Sequence, residues 1–147
     1  MKKFAAMGLA GILAAASTMA VAAKPEDAID YRQGVFSAIK WHFGTMGAMV
    51  KGKMEYDAED FSRRAEIVAQ LSKLPIEGFL PGTYEGETSA LPAIEDDREK
   101  FDGGMKALVE RTAALAVAAQ TGDLEQIKPA FGEVGKTCKG CHDNFKE

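Results

Sequence analysis

The sequence predicts an all-α protein, folded as an antiparallel four-helix bundle. Apolar residues recur every three or four positions in four long segments, which is the period of a helix with one buried face. Turn signals separate these segments, with Gly in each connection and several Pro in the longest one, and the other two of the three connections are short. Short connections place consecutive helices antiparallel, so a bundle is the simplest architecture that buries all four apolar stripes.

The first predicted helix covers residues 26–51. Pro25 suits the first turn of a helix, because its missing N–H is not needed there, and Gly52 ends the pattern. Phe36 lies beside the apolar stripe. The stripe itself consists of Ala28, Tyr31, Val35, Ile39, Phe43, Met46 and Val50.

The second predicted helix covers residues 58–73, with Asp57 as its N-cap and Pro75 as its stop. Its stripe consists of Phe61, Ala65, Val68 and Leu71. A long connection follows at 75–93, rich in Pro and Gly but still carrying apolar residues. Connections of this length are often functional, so we expect its apolar side chains to pack over the functional site.

The third predicted helix covers residues 93–120, and the fourth begins at Asp123, with Gln126 as a capping-box partner. Two features interrupt these patterns. The pair Gly103-Gly104 predicts a bend in the third helix or a close neighbour, and Pro129 predicts a kink or a split early in the fourth.

The last two turns of the fourth helix contain the most informative motif, Cys138-Lys139-Gly140-Cys141-His142. This spacing is typical of c-type haem attachment. Positions i, i+3 and i+4 share one helix face, so the two thiols can reach the haem vinyl groups while the imidazole reaches the iron. A redox dithiol, a disulfide or half of a zinc site are the alternatives. A zinc site is poorly supplied, because His42 is the one other His or Cys in the chain.

Residues 1–23 have the composition of a secretory signal peptide: two lysines, a short apolar run, and small residues that allow cleavage near Ala22 or Ala23. We therefore expect a periplasmic protein without a membrane anchor and a single mature domain at 24–147. The whole chain has 18 basic and 22 acidic residues. Removal of the signal increases the acidic excess, which argues against nucleic acid as a partner.

The position of the motif, in the last of four helices and followed by Phe145 and a basic residue, resembles the cytochrome c′ family. Small class I cytochromes c carry theirs near the N-terminus. Further matches occur at 24–28, 31–33, 42–44, 81–83, 130–135 and 138–145. The resemblance covers all of residues 24–147. It implies one haem c per chain, a four-helix bundle, homodimers through the first two helices, and nitric oxide or carbon monoxide as ligands.

The resemblance also assigns roles around the haem. His142 aligns with the proximal iron ligand, and Cys138 and Cys141 align with the cysteines that form the thioethers. Phe36 aligns with the residue that lies over the opposite, distal face of the haem. Phe36 has no lone pair, so this alignment predicts a five-coordinate iron.

Four further residues align with positions close to the haem. Arg32 and Gln33 correspond to residues beside the haem and its propionates. Glu87 is our candidate for a loop carboxylate near the haem, with a solvated surface charge as the alternative. Lys146 stands one turn after the motif, where arginine is commoner and would give bidentate hydrogen bonding.

Three functions follow as hypotheses: a gas-binding haem protein, a one-electron carrier that would need a redox partner protein, and a haem-free dithiol oxidoreductase. A low-spin carrier would need a methionine over the haem. At about 100° per residue, Met46 and Met49 are rotated about 80° and 140° from Phe36 and lie about three to four turns further along. We read them as packing residues, and His42 as a surface or interface residue. No acid–base or nucleophile constellation predicts substrate turnover.

Overall fold

The structure is a computed structural model that describes residues 24–147. Residues 1–23, where the signal peptide is predicted, lie outside this range. The described chain forms the helices α1 (Pro25–Val50), α2 (Ala58–Leu71), α3 (Ala93–Asp96), α4 (Arg98–Ala119) and α5 (Leu124–Phe145), and a 3-10 turn at Pro75–Gly78. The all-α prediction is confirmed.

The four long helices run alternately up and down, so that each packs against the next. Close backbone contacts join α1 with α2, α2 with α4, and α4 with α5, whereas α1 and α5 approach each other at few points. Aromatic side chains bridge this wider interface at one end of the bundle, where Phe43 stacks on Phe131 with 4.2 Å between ring centroids. At that same end, Tyr56 donates a hydrogen bond to the carbonyl of Gly122, which joins the two short connections.

The predicted third helix is wrong in one respect, because it is two helices. The short α3 ends at Asp96, and Asp97 leaves the helical conformation with φ −129° and ψ 54°. The Asp97 side chain then accepts a hydrogen bond from the Lys100 N–H at 3.4 Å and caps α4. An N-cap that satisfies a free N–H group explains why the chain restarts the helix here. α4 continues through Gly103-Gly104 without interruption.

The split predicted early in the fourth helix is wrong, because α5 continues through Pro129 as one helix. Pro129 stands early in α5, where a missing N–H removes one hydrogen bond without ending the helix. Asp123 is the N-cap, as predicted, and accepts from the Glu125 N–H at 2.9 Å. Gln126 bonds the Asp123 carboxylate with its side-chain amide, so the contact is not a reciprocal capping box.

The core follows the predicted stripes. Phe61, Met46, Leu115, Val134 and Ile127 are all almost completely buried. One polar pair lies among them: the hydroxyl groups of Ser72 and Thr112 are 2.9 Å apart and join α2 to α4. Within the described residues, no helix is sufficiently long and apolar to span a membrane.

Candidate functional site: the Cys-x-x-Cys-His end of the bundle

Cys138, Cys141 and His142 lie on the last two turns of α5, and the backbone stays helical through all three. The two cysteines are half-buried, and both have free thiols. Cys138 packs against the hydrophobic core, while His142 is exposed. The three side chains therefore share the face that the spacing predicts, and this donor set fits two thioethers and one iron ligand.

Burial controls the ionisation of this motif. It raises the pKa of the Cys138 thiol, as does the neighbouring Cys141 to a smaller degree, and it also raises the pKa of Cys141. Although the His142 side chain is exposed, neighbouring protein atoms partly desolvate its ring and lower its pKa, with a smaller contribution from the Lys146 cation that Asp143 partly offsets. Neutral imidazole is the form that binds iron. A dithiol oxidoreductase needs a thiol with a lowered pKa, so the direction found here disfavours that alternative.

A series of aromatic rings connects α1 with the end of α5. Phe36 is half-buried, and its ring meets the ring of Phe79 edge-on at 6.2 Å. The ring centroids of Phe79 and Phe101 of α4 are 4.6 Å apart, and those of Phe101 and Phe145 of α5 are 5.4 Å apart. Phe145 is three residues after His142. The ring series therefore links Phe36 to the turn of α5 that follows the motif, by way of the connection and α4.

Arg32 is buried, with 2% of its surface exposed, in contact with the long connection. One terminal nitrogen of its guanidinium donates to the carbonyl of Gly78 at 2.8 Å and to the hydroxyl of Thr83 at 2.7 Å. The other donates to the carbonyl of Thr83 at 2.5 Å and to the hydroxyl of Thr88 at 2.9 Å. The guanidinium also lies 4.7 Å from the ring centre of Phe79, a cation–π contact.

Gln33 and Glu87 come together, as their shared assignment to the haem surroundings suggests. The Gln33 side-chain amide donates to the backbone carbonyl of Glu87 at 2.8 Å, and both residues are exposed. This hydrogen bond involves the Glu87 backbone and not its side-chain carboxylate. A role for that carboxylate beside the haem stays a prediction.

The residues around Lys146 join the end of α5 to the same connection. Lys146 pairs with Ala90 in an isolated antiparallel bridge, and the Leu91 N–H donates to the carbonyl of Phe145 at 3.0 Å. The Lys146 ammonium bonds the carbonyl of Glu147 at 2.8 Å. The connection is thus attached to α1 through Arg32 and to the helix that carries the motif.

The two methionines considered as iron ligands lie elsewhere. Met46 and Met49 are buried in the core with exposures of 0% and 2%. Gly47, between them, lies next to the Phe131 ring, at the end of the bundle opposite Phe79. His42 is half-buried, with Nδ1 3.4 Å from the Arg64 guanidinium. None of the three lies with the aromatic series at the motif.

Comparison with known proteins identifies the family. The family model described as cytochrome C′ matches residues 27–146. The chain belongs to the cytochrome c′ family. Cytochrome c′ from Halomonas halodenitrificans is 44% identical over 130 residues, which cover 84% of this chain and 98% of the relative. Cytochrome c′ from Rubrivivax gelatinosus is 47% identical over 125 residues, with 84% and 97% covered.

Solved structures agree with this membership. Cytochrome c prime from Shewanella frigidimarina superimposes with a TM-score of 0.83 at 52% identity, covering 84% of this chain and 97% of that chain. A nitric oxide complex of a mutant cytochrome c prime from Alcaligenes xylosoxidans has a TM-score of 0.79 at 41% identity, with 85% and 97% covered. Cytochromes c′ bind haem c covalently through cysteines, and haem c is the cofactor that the motif predicts.

The roles of several residues at this end of the bundle could not be predicted from the sequence. Thr83 and Thr88 are ordinary loop residues until Arg32 is placed against them, and Phe79 is one apolar residue among several in the connection. The sequence offered one usable signal: this connection is long but carries aromatic residues at Phe79 and Tyr84, both of which are buried. A loop with buried aromatic residues belongs to the core and not to the solvent.

Proposed function

We propose that this protein is a periplasmic haem c protein whose five-coordinate iron binds nitric oxide or carbon monoxide and exchanges single electrons. Family membership supports the haem, and the nitric oxide complex of the Alcaligenes relative supports the ligand class. The bound haem supplies an iron centre that changes oxidation state and accepts a diatomic ligand. Substrate turnover forms no part of the proposal.

Each residue of the site has its own proposed role. Cys138 and Cys141 would hold the haem through thioethers, and His142 would ligate the iron. Phe36 of α1 would cover the other face of the haem. A phenyl ring has no lone pair, so it leaves the iron without a second protein ligand and covers that position with an apolar surface.

The position of Phe36 is the observation that carries the proposal. Its ring belongs to the aromatic series that reaches α5 next to the motif, whereas the methionines of α1 lie at the other end of the bundle. A six-coordinate, low-spin electron carrier would need a ligating side chain in place of Phe36. A phenyl ring that must move aside before a ligand binds acts as a steric gate.

Arg32, Gln33, Glu87 and Lys146 complete the proposed surroundings of the haem. Arg32 and Gln33 bond the connection over the haem end, so they fix its position relative to α1. Because the terminal nitrogens of Arg32 already bond the connection, we propose that Arg32 favours the negatively charged propionates through its charge and not through hydrogen bonds. Lys146 contributes a positive charge one turn after His142, without the bidentate geometry of arginine.

The steric gate is tested by the association rate of carbon monoxide with the ferrous protein, measured by flash photolysis. Phe36→Ala should increase the rate because it removes the covering ring. Phe43→Ala is the matched control: the same change on the same helix, but at a ring that stacks on Phe131. Equal rates in the wild type and Phe36→Ala would contradict the gate, and a wild type that takes up no carbon monoxide would contradict gas binding.

We also propose a homodimer formed through α1 and α2. Trp41 on α1 is 72% exposed, which is unusual for the largest apolar side chain, and it borders a shallow depression. Four of the six other residues that line this depression are small, which leaves room for a tryptophan from a second copy. The lining residues are Ser37, Lys40, Gly44, Thr45, Ala48 and Met54. Sedimentation velocity should give a dimer for the wild type and a monomer for Trp41→Glu; a wild-type monomer at high concentration would refute the dimer.

A further inference from the structure

Gly104 of α4 lies directly against Cys141 of α5. A Cβ atom built on Gly104 would lie 2.7 Å from the Cys141 Sγ, much closer than two such atoms approach in proteins. At the neighbouring Gly103, a Cβ atom would meet nothing within 4 Å. Glycine in a helix interior destabilises the helix relative to alanine. The contact with Cys141 gives a physical reason for that cost at Gly104, and no such reason exists at Gly103.

We propose that Gly104 is a positioning residue for haem attachment: its missing side chain leaves Cys141 Sγ the place against α4 in which the second thioether is formed and held. The proposal rests on the proposed role of Cys141 in haem attachment. It concerns a residue outside the Cys-x-x-Cys-His motif, on a different helix, that touches one of the two linking sulfur atoms.

Thioether formation explains why this space matters. The Cys141 thiol adds across a vinyl group of the haem: Sγ bonds to the vinyl carbon next to the ring, and the thiol proton passes to the terminal carbon, which becomes a methyl group. The addition needs no oxidant and no reductant. A free thiol can rotate about its Cα–Cβ bond to avoid a methyl group on α4. A thioether sulfur cannot, because it is bonded at both ends and the haem is also held by Cys138 and His142.

The two helices have little freedom to separate at this point. The Phe101 and Phe145 rings pack edge-on at 5.4 Å between α4 and α5. One residue before each ring, the Lys100 ammonium donates to the Asn144 side-chain carbonyl at 2.7 Å. These contacts lie about one turn from Gly104 and Cys141. A methyl group at position 104 therefore displaces the sulfur atom more readily than it moves the helix.

The test compares Gly104→Ala with Gly103→Ala, each produced as the full chain with a working haem-ligation system. Mass spectrometry of the denatured protein gives the share of chains with covalent haem. The haemochrome spectrum in pyridine distinguishes two thioethers from one, because an unreacted vinyl group shifts the absorption to longer wavelength. We expect two thioethers in the wild type and Gly103→Ala. We expect mainly one thioether, or covalent haem lost from most chains, in Gly104→Ala.

A second pair of variants separates a clash with the sulfur from a general disturbance of the helices. In a Cys141→Ala background the sulfur is absent and Cys138 alone links the haem. There, adding Gly104→Ala should leave the covalent haem content unchanged. A further loss of haem in this background would overturn the proposal, even if Gly104→Ala alone does not fold. So would a wild-type haemochrome spectrum in Gly104→Ala. A wild type without covalent haem would instead refute the proposed function, and with it this role of Gly104.

Discussion

The hydrogen-bond network of Arg32 provides the most quantitative test of the fold around the site. Arg32→Met keeps an unbranched apolar stem of similar length but removes all of the donors. The carbonyls of Gly78 and Thr83 then lose the guanidinium that bonds them at 2.8 and 2.5 Å. The two hydroxyl acceptors, on Thr83 and Thr88, lose theirs as well.

The expected magnitude follows from these acceptors. A buried polar group left without a partner costs about 1–3 kcal/mol, so the two carbonyls together cost about 2–6 kcal/mol. The substitution also removes the unfavourable burial of a cation, which lowers the pKa of Arg32 in the folded protein. We therefore expect Arg32→Met to decrease the free energy of unfolding by about 3 kcal/mol. Arg32→Lys should recover only part of the lost stability, because a single ammonium group cannot make all the hydrogen bonds of the planar guanidinium.

Urea unfolding followed by circular dichroism measures this loss, and hydrogen exchange locates it. Exchange should accelerate in residues 79–92 before it does so in α2. Arg63→Met is the control, because Arg63 is an exposed member of a surface ion pair with Asp60 and should change stability by less than about 0.5 kcal/mol. If Arg32→Met were as stable as this control, the network would not stabilise the connection and our reasoning would be wrong.

Three further predictions test separate parts of the structure. Gly78→Ala should destabilise by about 1–3 kcal/mol in urea unfolding, because its Cβ would lie 2.7 Å from a carbonyl oxygen of α1, whereas Gly34→Ala meets nothing and should be neutral or stabilising. Thr112→Val should cost about 1 kcal/mol in the same assay, since it removes the hydroxyl that lies 2.9 Å from that of Ser72, while Ser72 keeps the Ala69 carbonyl as an acceptor at 3.0 Å; adding Ser72→Ala should cost less than the two single substitutions predict together. Burial, followed by the arginines of α2, lowers the pKa of His42 in the folded protein, so the unfolded chain binds the proton more tightly. The stability that comes from the neutral His42 is fully present above the unfolded pKa of 6.5 and is lost as the pH falls through the lower pKa of the folded protein. The urea midpoint of His42→Gln should therefore decrease less than that of the wild type between about pH 7.5 and 5.

The long helices were predictable because their signals are local. The apolar stripes set the buried faces, and Asp57 and Asp123 were recognisable as N-caps from the residues beside them. The break at Asp97 has an equally local cause, but the apolar pattern continues across it and hides it. The apolar stripe alone predicts one continuous helix where the N-cap at Asp97 divides the chain into α3 and α4.

The surroundings of the motif were less predictable because they depend on distant parts of the chain. Arg32 bonds residues 46 to 56 positions away, and no local pattern specifies such a pairing. Gly104 was recognisable as a place for a close neighbour, but the identity of that neighbour, Cys141, needed the structure. The spacing of cysteines and histidine alone predicted the cofactor, since covalent attachment fixes that spacing whatever the fold.

The coordination of the iron is the central claim, and resonance Raman spectra of the purified ferric and ferrous protein test it most directly. His142 as the one protein ligand, with Phe36 on the other side, predicts a five-coordinate, high-spin ferrous iron that becomes six-coordinate on addition of carbon monoxide. A six-coordinate, low-spin spectrum in the absence of added ligand would show that a protein side chain occupies the second side and would contradict the account.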